Sequence, residues 1–159
     1  MVKKEGTTST LIPRAITSAE FTHILKADAE IYPTSNPLTL EVLSEWYSIH
    51  PEFGLIYTQP EEPSSICGSC CVVALNKTGW EKLIKGHISE ADIGRHELFD
   101  NSKHDSVYLH IYHAEVDKPV WTSFNHERFG IALLKGIEMV LEKLRKSNPA
   151  LSVGGFSGK

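Results

Sequence analysis

The residues best suited to acid–base chemistry lie in the segment VYLHIYHAEV, from Val107 to Val116. His110 carries an imidazole, and imidazoles titrate close to neutral pH, so it could accept a proton from a bound substrate. Glu115 is a second candidate base in the same segment, although most exposed glutamates are merely solvated. The alternative role for His110 is structural, at the edge of the core, with its ring bonded to a backbone carbonyl.

A second chemical feature follows in the segment HERFGIALL. Gly130 and Ala132 leave the backbone uncovered at the start of a predicted helix, and Arg128 stands just before them. The free N–H groups of a first helical turn and the helix dipole attract anions. The segment therefore predicts a phosphate-binding helix start. The alternative interpretation is that the two small residues only allow close packing between helix and sheet.

The elements that must position these residues are a strand and the helix after it. Val107, Leu109 and Ile111 alternate with aromatic and histidine residues, which is typical of a β-strand. From Glu127 onward the apolar residues recur at steps of three and four, which predicts a helix to about Lys146. A strand that leads into such a helix can hold a phosphate at the junction.

This part of the chain resembles motif A of the GNAT superfamily of acetyl-CoA-dependent N-acetyltransferases. The family pattern is a strand ending near a valine, then Arg/Gln-x-x-Gly-x-Gly/Ala, then a helix that opens with paired leucines. The matching positions are Val116, the run from Glu127 to Ala132, and Leu133-Leu134. The resemblance implies acetyl-CoA as cosubstrate and no metal. The cofactor-binding residues that it implies are Val116, Arg128, Phe129, Gly130, Ile131 and Ala132.

The chain departs from the family pattern in three ways. Glu127 stands where the family has Arg or Gln, and its carboxylate would repel a pyrophosphate unless Arg128 compensates. The link from Val116 to Glu127 is longer than the family norm. The sequence also stops at Lys159, before the helix and β-hairpin that close the family's fold. We expect a fragment, a short form completed by a partner, or a member that has lost catalysis.

The resemblance narrows to the arylalkylamine (serotonin) N-acetyltransferases. The runs IYPTSNPLTLEV (31–42) and HPEF (50–53) are similar to the first-helix loop and the Cys-Pro-Glu-Leu segment of that subfamily. The similarity places Tyr32 and Pro37 where the subfamily lines its amine pocket. An aromatic ring there could stack on an aryl group or attract an ammonium. The alternative for Tyr32 is simple packing at a helix end.

The subfamily also has a His-x-His pair on its motif A strand, six and four residues before the valine. Counting back from Val116 gives His110, which is kept, and Tyr112, where the second histidine is replaced. The resemblance thus implies His110 and Tyr112 as catalytic candidates, with Glu115 as the alternative base. Since side chains alternate along a strand, His113 is expected on the face opposite His110. Glu115 is expected there too, so it could line the same site as His110 only if a bulge intervenes.

The rest of the chain predicts one α/β domain with a mixed sheet. The predicted order is β-α-α-β-β-(helical insert)-β-α-β, which is the GNAT order up to the strand after the cofactor helix. We expect residues 1–10 to form a flexible tail and residues 11–159 a single GNAT-like domain. The inner face of the first helix is predicted to consist of Phe21, Ile24, Leu25 and Ala29.

Composition and cysteine content limit the classes of function. A net charge of −4 argues against binding to nucleic acid or to anionic membranes, and no apolar run could span a bilayer. The start, MVKKEGTTST, lacks the apolar core of a signal peptide. The three cysteines, Cys67, Cys70 and Cys71, lack a second pair for zinc and are predicted to be buried small hydrophobes. A cytoplasmic, reducing location follows.

We therefore expect an acetyl-CoA-dependent N-acetyltransferase that acts on a small primary amine of the arylalkylamine type, with His110 or a water that it organises taking the proton. A homodimer is compatible with this expectation. The rival hypothesis is a non-catalytic GNAT-like module that binds CoA or a protein partner without turnover, which Glu127 and the short C-terminus favour. An α/β domain of unrelated function is the third alternative.

Overall fold

The structure is a computed structural model that describes residues 11–116 and 129–159 of the chain. Within these ranges the chain forms a mixed α/β fold. The strands are β1 (Ile12–Ala15), β2 (Gly54–Thr58), β3 (Ile66–Leu75), β4 (Ser106–Val116) and β5 (Ser152–Gly158), and the helices are α1 (Phe21–Ile31), α2 (Leu40–Ile49), α3 (Lys77–Ile84) and α4 (Phe129–Arg145). Short 3-10 helices cover Ser18–Glu20, Pro51–Phe53, Glu90–Asp92 and Arg95–Glu97.

The five described strands form one mixed sheet in the order β1-β2-β3-β4-β5. The first three pairs are antiparallel, and β4 pairs with β5 in parallel. A parallel pair needs a crossover connection, and α4 lies in the one between β4 and β5. The predicted α/β class and element order are confirmed for the described residues. The predicted tail, 1–10, lies outside them, as do Glu127 and Arg128.

Local sequence signals explain where the helices begin. Thr39 caps α2, since its hydroxyl accepts from the amide of Val42 over 3.3 Å. Asn76 caps α3 by accepting from the amide of Gly79 over 2.8 Å. No helix in the described part of the chain is long and apolar enough to cross a membrane.

The helix α4 packs on one face of the sheet through a glycine. A Cβ at Gly136 would lie 2.6 Å from the Tyr57 hydroxyl and 3.0 Å from Leu55 Cδ1, so only glycine allows this approach. The Tyr57 hydroxyl also donates to the carbonyl of Ala132 over 2.9 Å. The core around this contact includes the buried Ile137, Val140 and Leu141 of α4. These contacts fix the first turns of α4 over β2.

The cysteines of β3 are buried, as predicted. Adjacent strand residues point to opposite faces, so Cys70 and Cys71 serve the two sides of the sheet. Burial raises the pKa of both thiols, that of Cys71 to about 12. Thiols in this state are poor nucleophiles, and their role is packing.

A β-bulge in β4 changes which residues share a face. Val73 of β3 pairs with His110, and Cys71 pairs with His113. Two steps along β3 therefore match three steps along β4. The extra residue on β4 lies in this interval, where Tyr112 packs on Trp46 with ring centroids 5.2 Å apart. Paired residues of antiparallel strands point to the same side, so His110 and His113 share a face. The expectation that His113 faces the opposite side is wrong.

The buried face of α1 also differs from the prediction. Phe21, Ile24, Ala27 and Asp28 are its buried residues, whereas Ala29 is exposed and Leu25 is half-buried. Asp28 lies four residues after Ile24, which is the helical repeat that keeps a side chain on the same face. A carboxylate is therefore placed between α1 and the sheet, where charges rarely stay unless paired.

Candidate functional site

A cavity of about 790 Å³ opens beside β4, between the end of α1, α3 and the last residues of β5. The imidazole of His110 lies in its wall, and Tyr32 and Glu90 line it as well. The other lining residues are Ile31, Pro33, Thr34, Asn36, Leu83, Ile84, Ser89, Ser157, Gly158 and Lys159. The cavity thus combines an apolar mouth with a small set of ionisable groups, which is typical of small-molecule sites.

Both ring nitrogens of His110 are hydrogen-bonded. Nε2 lies 2.7 Å from Oε1 of Glu90, and Nδ1 lies 2.9 Å from the hydroxyl of Ser157. A carboxylate can only accept, so Nε2 carries the hydrogen and donates to Glu90. The indole of Trp80 donates to Ser157 over 3.1 Å, which leaves the Ser157 hydroxyl hydrogen for Nδ1 of the neutral ring. His110 is therefore held in one tautomer and orients Glu90.

The second oxygen of Glu90 binds an ammonium group. Nζ of Lys159 lies 2.9 Å from Oε2 of Glu90, and 3.1 and 3.3 Å from the two carboxylate oxygens of Asp28. The same Nζ lies 4.7 Å from the ring centroid of Tyr32, within the range of a cation–π contact. Two carboxylates and one aromatic face thus surround a single alkylammonium group inside the cavity.

Asp28 lies between the Lys159 ammonium and His113, which follows the bulge in β4. Nδ1 of His113 lies 3.4 Å from Oδ1 of Asp28, and Nε2 lies 3.5 Å from Oε2 of Glu115. These are ion-pair distances, and neither ring nitrogen makes a well-formed hydrogen bond to a described residue. Burial raises the pKa of Asp28, but His113 and the Lys159 ammonium outweigh burial, and the pKa lies below its ordinary value.

Glu115 lies on the His110 face but not in the cavity. Its register partner is Ser69, which shares the side of Cys71 and Val73 on β3. The carboxylate is partly exposed and lies 3.4 Å from Nε2 of His23. The bulge thus removes the predicted obstacle of opposite faces. His113 and Asp28 nevertheless stand between Glu115 and the ammonium of Lys159.

Tyr112 and Pro37 lie away from the cavity. Tyr112 is completely buried beside Cys71 and Tyr47, and its hydroxyl has no hydrogen-bond partner among the described residues. Burial raises its pKa well above the ordinary value. Pro37 is exposed and does not line the cavity, unlike Tyr32 at the end of α1. The structure therefore brings together His110 and Tyr32 but neither Tyr112 nor Pro37.

The predicted cofactor site is described in part. Val116 ends β4 half-buried, opposite Gly68, and Arg128 lies outside the described residues, where Glu127 also falls. Phe129 begins α4, Ile131 is exposed and Ala132 is half-buried. No described residue lies within 4 Å of a Cβ built on Gly130. Packing among the described residues therefore does not require a glycine at 130, whereas it does at Gly136.

Sequence reasoning missed four residues of this site. Asp28 could have been found, because it continues the 21–24–28 repeat of the buried face of α1. Glu90 lies between Ser89 and Asp92, which form a capping box. This pattern predicts a helical turn but says nothing about what the residues between the two capping residues contact. The contacts of Ser157 and Lys159 depend on how β5 pairs with β4, which no local pattern specifies.

A second cavity, of about 900 Å³, lies beside His50 and His104. It is the larger of the two. His50 contacts Glu52 at 2.9 Å and the Phe99 carbonyl at 3.0 Å, and His104 accepts from the amide of Asp100 over 2.9 Å. The cavity beside His110 is the stronger candidate, because His110 and Tyr32, two of the residues that the sequence predicts for the site, both line it.

Comparison with known proteins does not identify this chain. No protein-family model matches it, and no curated protein is significantly similar to it. The site must therefore be interpreted from its own geometry and from the motifs in the sequence.

Proposed function

We propose that this protein is an acetyl-CoA-dependent N-acetyltransferase of the GNAT type that acts on a small primary amine. The observation that carries the proposal is the cavity in which His110 of β4 orients the carboxylate of Glu90, opposite the ring of Tyr32. The resemblance places an amine next to both His110 and Tyr32. Amine acetylation needs a group that removes the ammonium proton at this position.

The sheet supports the proposal independently of the cavity. The strand that carries His110 leads toward α4 and returns as the parallel β5, which is the arrangement that motif A of the GNAT family uses to present its cofactor. A bulge interrupts β4 at Tyr112, next to Ile111, the last residue of β4 that pairs with β5. The GNAT fold has splayed strands near this point, so a parallel pair that ends beside a bulge supports the proposal.

The residues of the cavity account for the handling of the amine. The amine would bind as an ammonium against Oε2 of Glu90, whose Oε1 is held by His110 from behind. Glu90 would take the proton as the nitrogen attacks the thioester, so that the positive charge leaves the nitrogen while the new bond forms. Ser157 and Trp80 fix the imidazole, so the proton acceptor stays in one orientation. We assign His110 the role of positioning Glu90, and Glu90 the role of base.

The residues at the start of α4 fit an acetyl-CoA pyrophosphate in the part that is described. Among the described residues, none packs where a side chain at Gly130 would project. The first amide groups of a helix can donate to an anion. Acetyl-CoA would supply the thioester that the amine attacks. Gly130, Ile131 and Ala132 would hold its phosphates through backbone groups, with Arg128 and Val116 as the other predicted contacts.

The second candidate function is a GNAT-like module that binds CoA or a protein partner without turnover. One structural observation favours it: Lys159 occupies the ammonium position, so the amine site is filled by the protein's own side chain. This occupancy would lower the rate of acetyl transfer, and Glu127 is expected to weaken the binding of CoA.

A thiol-release assay separates the two functions. The protein is mixed with acetyl-CoA and a panel of primary amines, and free thiol is followed with a chromogenic disulfide. Amine-dependent release that is lost in Glu90→Gln supports the transferase. Binding of CoA by calorimetry without any amine-dependent release supports the non-catalytic module. Absence of both would reject each proposal.

A further inference from the structure

The ammonium of Lys159 is held in the cavity by more acceptors than an ordinary surface lysine has. Its side chain is 21% exposed, against 7% for Asp28 and 17% for Glu90. Lys82, for comparison, has one acidic partner, Glu97, at 3.1 Å. Lys159 has two carboxylates and the face of Tyr32.

The contacts specify the chemical class that this position accepts. Three short N···O distances, to Glu90 and to both oxygens of Asp28, match the three hydrogens of a primary ammonium. A quaternary ammonium could contact the Tyr32 ring but could donate to neither carboxylate. Apolar side chains of Ile31, Leu83 and Ile84 line the same cavity and suit an alkyl or aryl group attached to the ammonium.

The charges of the cavity require a cation at this position. Asp28 and Glu90 each carry a negative charge, and the Lys159 ammonium is the cation that contacts both. The remaining ionisable neighbours are His110 behind Glu90 and His113 behind Asp28. If Lys159 left without a replacement, two largely buried carboxylates would lose their counter-ion, which is strongly unfavourable.

We propose that the cavity binds the ammonium of a primary alkyl- or arylalkylamine in the place held by the Lys159 ammonium, so that Lys159 is an intramolecular competitor of the amine. The inference builds on the proposed function, because it names the groups that hold the amine. Lys159 must leave Asp28 and Glu90 before an amine enters. A side chain attached to the protein competes at a high effective concentration, so the apparent affinity for free amines is low.

The test compares binding of butylammonium chloride to the unaltered protein and to Lys159→Ala, by calorimetry and by melting temperature, without acetyl-CoA. Lys159→Ala should melt at a lower temperature, and butylammonium should restore it. The variant should bind butylammonium at least about tenfold more tightly than the unaltered protein. Because no acetyl-CoA is present, a failure here is distinguishable from a failure of acetyl transfer.

Matched controls separate a specific site from a general effect of salt. Sodium chloride and tetramethylammonium chloride at the same concentration should not restore Lys159→Ala. Lys82→Ala removes a lysine paired with Glu97 outside the cavity, and butylammonium should leave its melting temperature unchanged. In Lys159→Ala/Glu90→Gln the tighter binding should disappear. Equal affinity of the unaltered protein and Lys159→Ala, equal rescue by tetramethylammonium, or no binding to either would overturn the proposal.

A measurement on the unaltered protein keeps the proposal testable if Lys159→Ala does not fold. Trace acetylation with acetic anhydride, read by mass spectrometry, reports how freely each lysine amine reacts. Butylammonium that displaces Lys159 should raise its labelling several-fold relative to Lys82 in the same sample. An unchanged ratio of Lys159 to Lys82 labelling at saturating butylammonium would show that the amine does not take the lysine's place.

Discussion

Asp28 and Glu90 bind the same ammonium group from two separate parts of the chain. Nζ of Lys159 lies 3.1 Å from Oδ1 of Asp28, in α1, and 2.9 Å from Oε2 of Glu90, in a 3-10 helix of the insert before β4. The contact connects α1, the insert and the end of β5 through one cation. The cavity beside His110 therefore depends on charge pairing as well as on the packing of its apolar walls.

The two glycines of α4 should respond oppositely to alanine. Gly136→Ala should lower the free energy of unfolding by about 1–3 kcal/mol, because its Cβ would meet the Tyr57 hydroxyl at 2.6 Å. Gly130→Ala should be neutral or stabilising by up to about 1 kcal/mol, since no described residue packs against that position and alanine favours helix. Urea denaturation of both variants checks this. Similar destabilisation at both positions would indicate that Gly130 also packs.

Gly130→Glu should abolish CoA binding while the protein stays folded. The change adds bulk and a negative charge at the helix start, where the proposal places the phosphates. Gly130→Ala is the matched control and should reduce affinity less, since it adds only a methyl group. Calorimetric titration with CoA gives the affinities, and circular dichroism checks the fold. Unchanged affinity of the Glu variant would place the cofactor elsewhere.

Asp28→Asn should lower the free energy of unfolding at neutral pH. It should also make that free energy depend less on pH in the acidic range. The folded-state pKa of Asp28 lies below its ordinary value, because its contacts with His113 and the Lys159 ammonium outweigh burial. Its contribution is therefore fully present above the unfolded pKa of about 3.9 and is lost as the pH falls through the lower folded pKa.

The unfolding free energy of Asp28→Asn should be lower than that of the unaltered protein by about 2 kcal/mol at pH 7. The difference should shrink as the pH falls below 4. Glu45→Gln is a control, since Glu45 pairs with Arg95 at an exposed position and should change little. A difference that stays constant from pH 7 to pH 3 would mean that the charge of Asp28 is not its stabilising feature.

The order of strands and helices was predictable because each element carries its own periodicity. The continuous apolar run ICGSCCVVAL predicts a buried strand, and it is β3. The bulge in β4 was not predictable in this way. It arises from how Tyr112 packs on Trp46 and Tyr47, and these contacts join segments that are distant in sequence. Strict alternation of side chains along β4 therefore predicts the wrong face for His113.

The site was predictable only where a motif or a helix repeat marked it. His110 and Tyr32 were found through the family resemblance, and the structure brings them into one cavity. No sequence pattern identifies Glu90, because its contact with His110 depends on how the insert packs against β4. Lys159 reaches Asp28 only through the parallel pairing of β5 with β4. Groups that meet through long-range pairing leave no local signal in a single sequence.

Tyr112→Phe should leave any acetyl transfer unchanged and should not reduce stability. The resemblance proposes Tyr112 as a catalytic residue, but its hydroxyl is buried without a hydrogen-bond partner among the described residues and does not line the cavity. Removing such a hydroxyl should be neutral or raise the unfolding free energy by up to about 1 kcal/mol. A large loss of rate in a stable Tyr112→Phe protein would restore the catalytic assignment.

Glu90→Gln and His110→Gln should lower the rate of acetyl transfer to different extents. Glu90 contacts the ammonium position directly, so its amide analogue should reduce the rate by about 10²-fold or more at all pH values. His110 acts on Glu90 through one hydrogen bond, so His110→Gln, whose side-chain amide can still donate to Glu90, should cost less.

The size of the rate loss distinguishes a positioning histidine from a base or a purely structural group. If His110 only orients Glu90, His110→Gln should keep a substantial rate, whereas His110→Ala, which cannot donate to Glu90, should lose more. If His110 is itself the base, Glu90→Gln and His110→Gln should lose rate equally. If it is structural, His110→Gln should melt earlier but keep the rate of the unaltered protein at lower temperature. Equal rates in the unaltered protein, Glu90→Gln and His110→Gln would remove both residues from the mechanism and leave Asp28 as the remaining described carboxylate in contact with the ammonium.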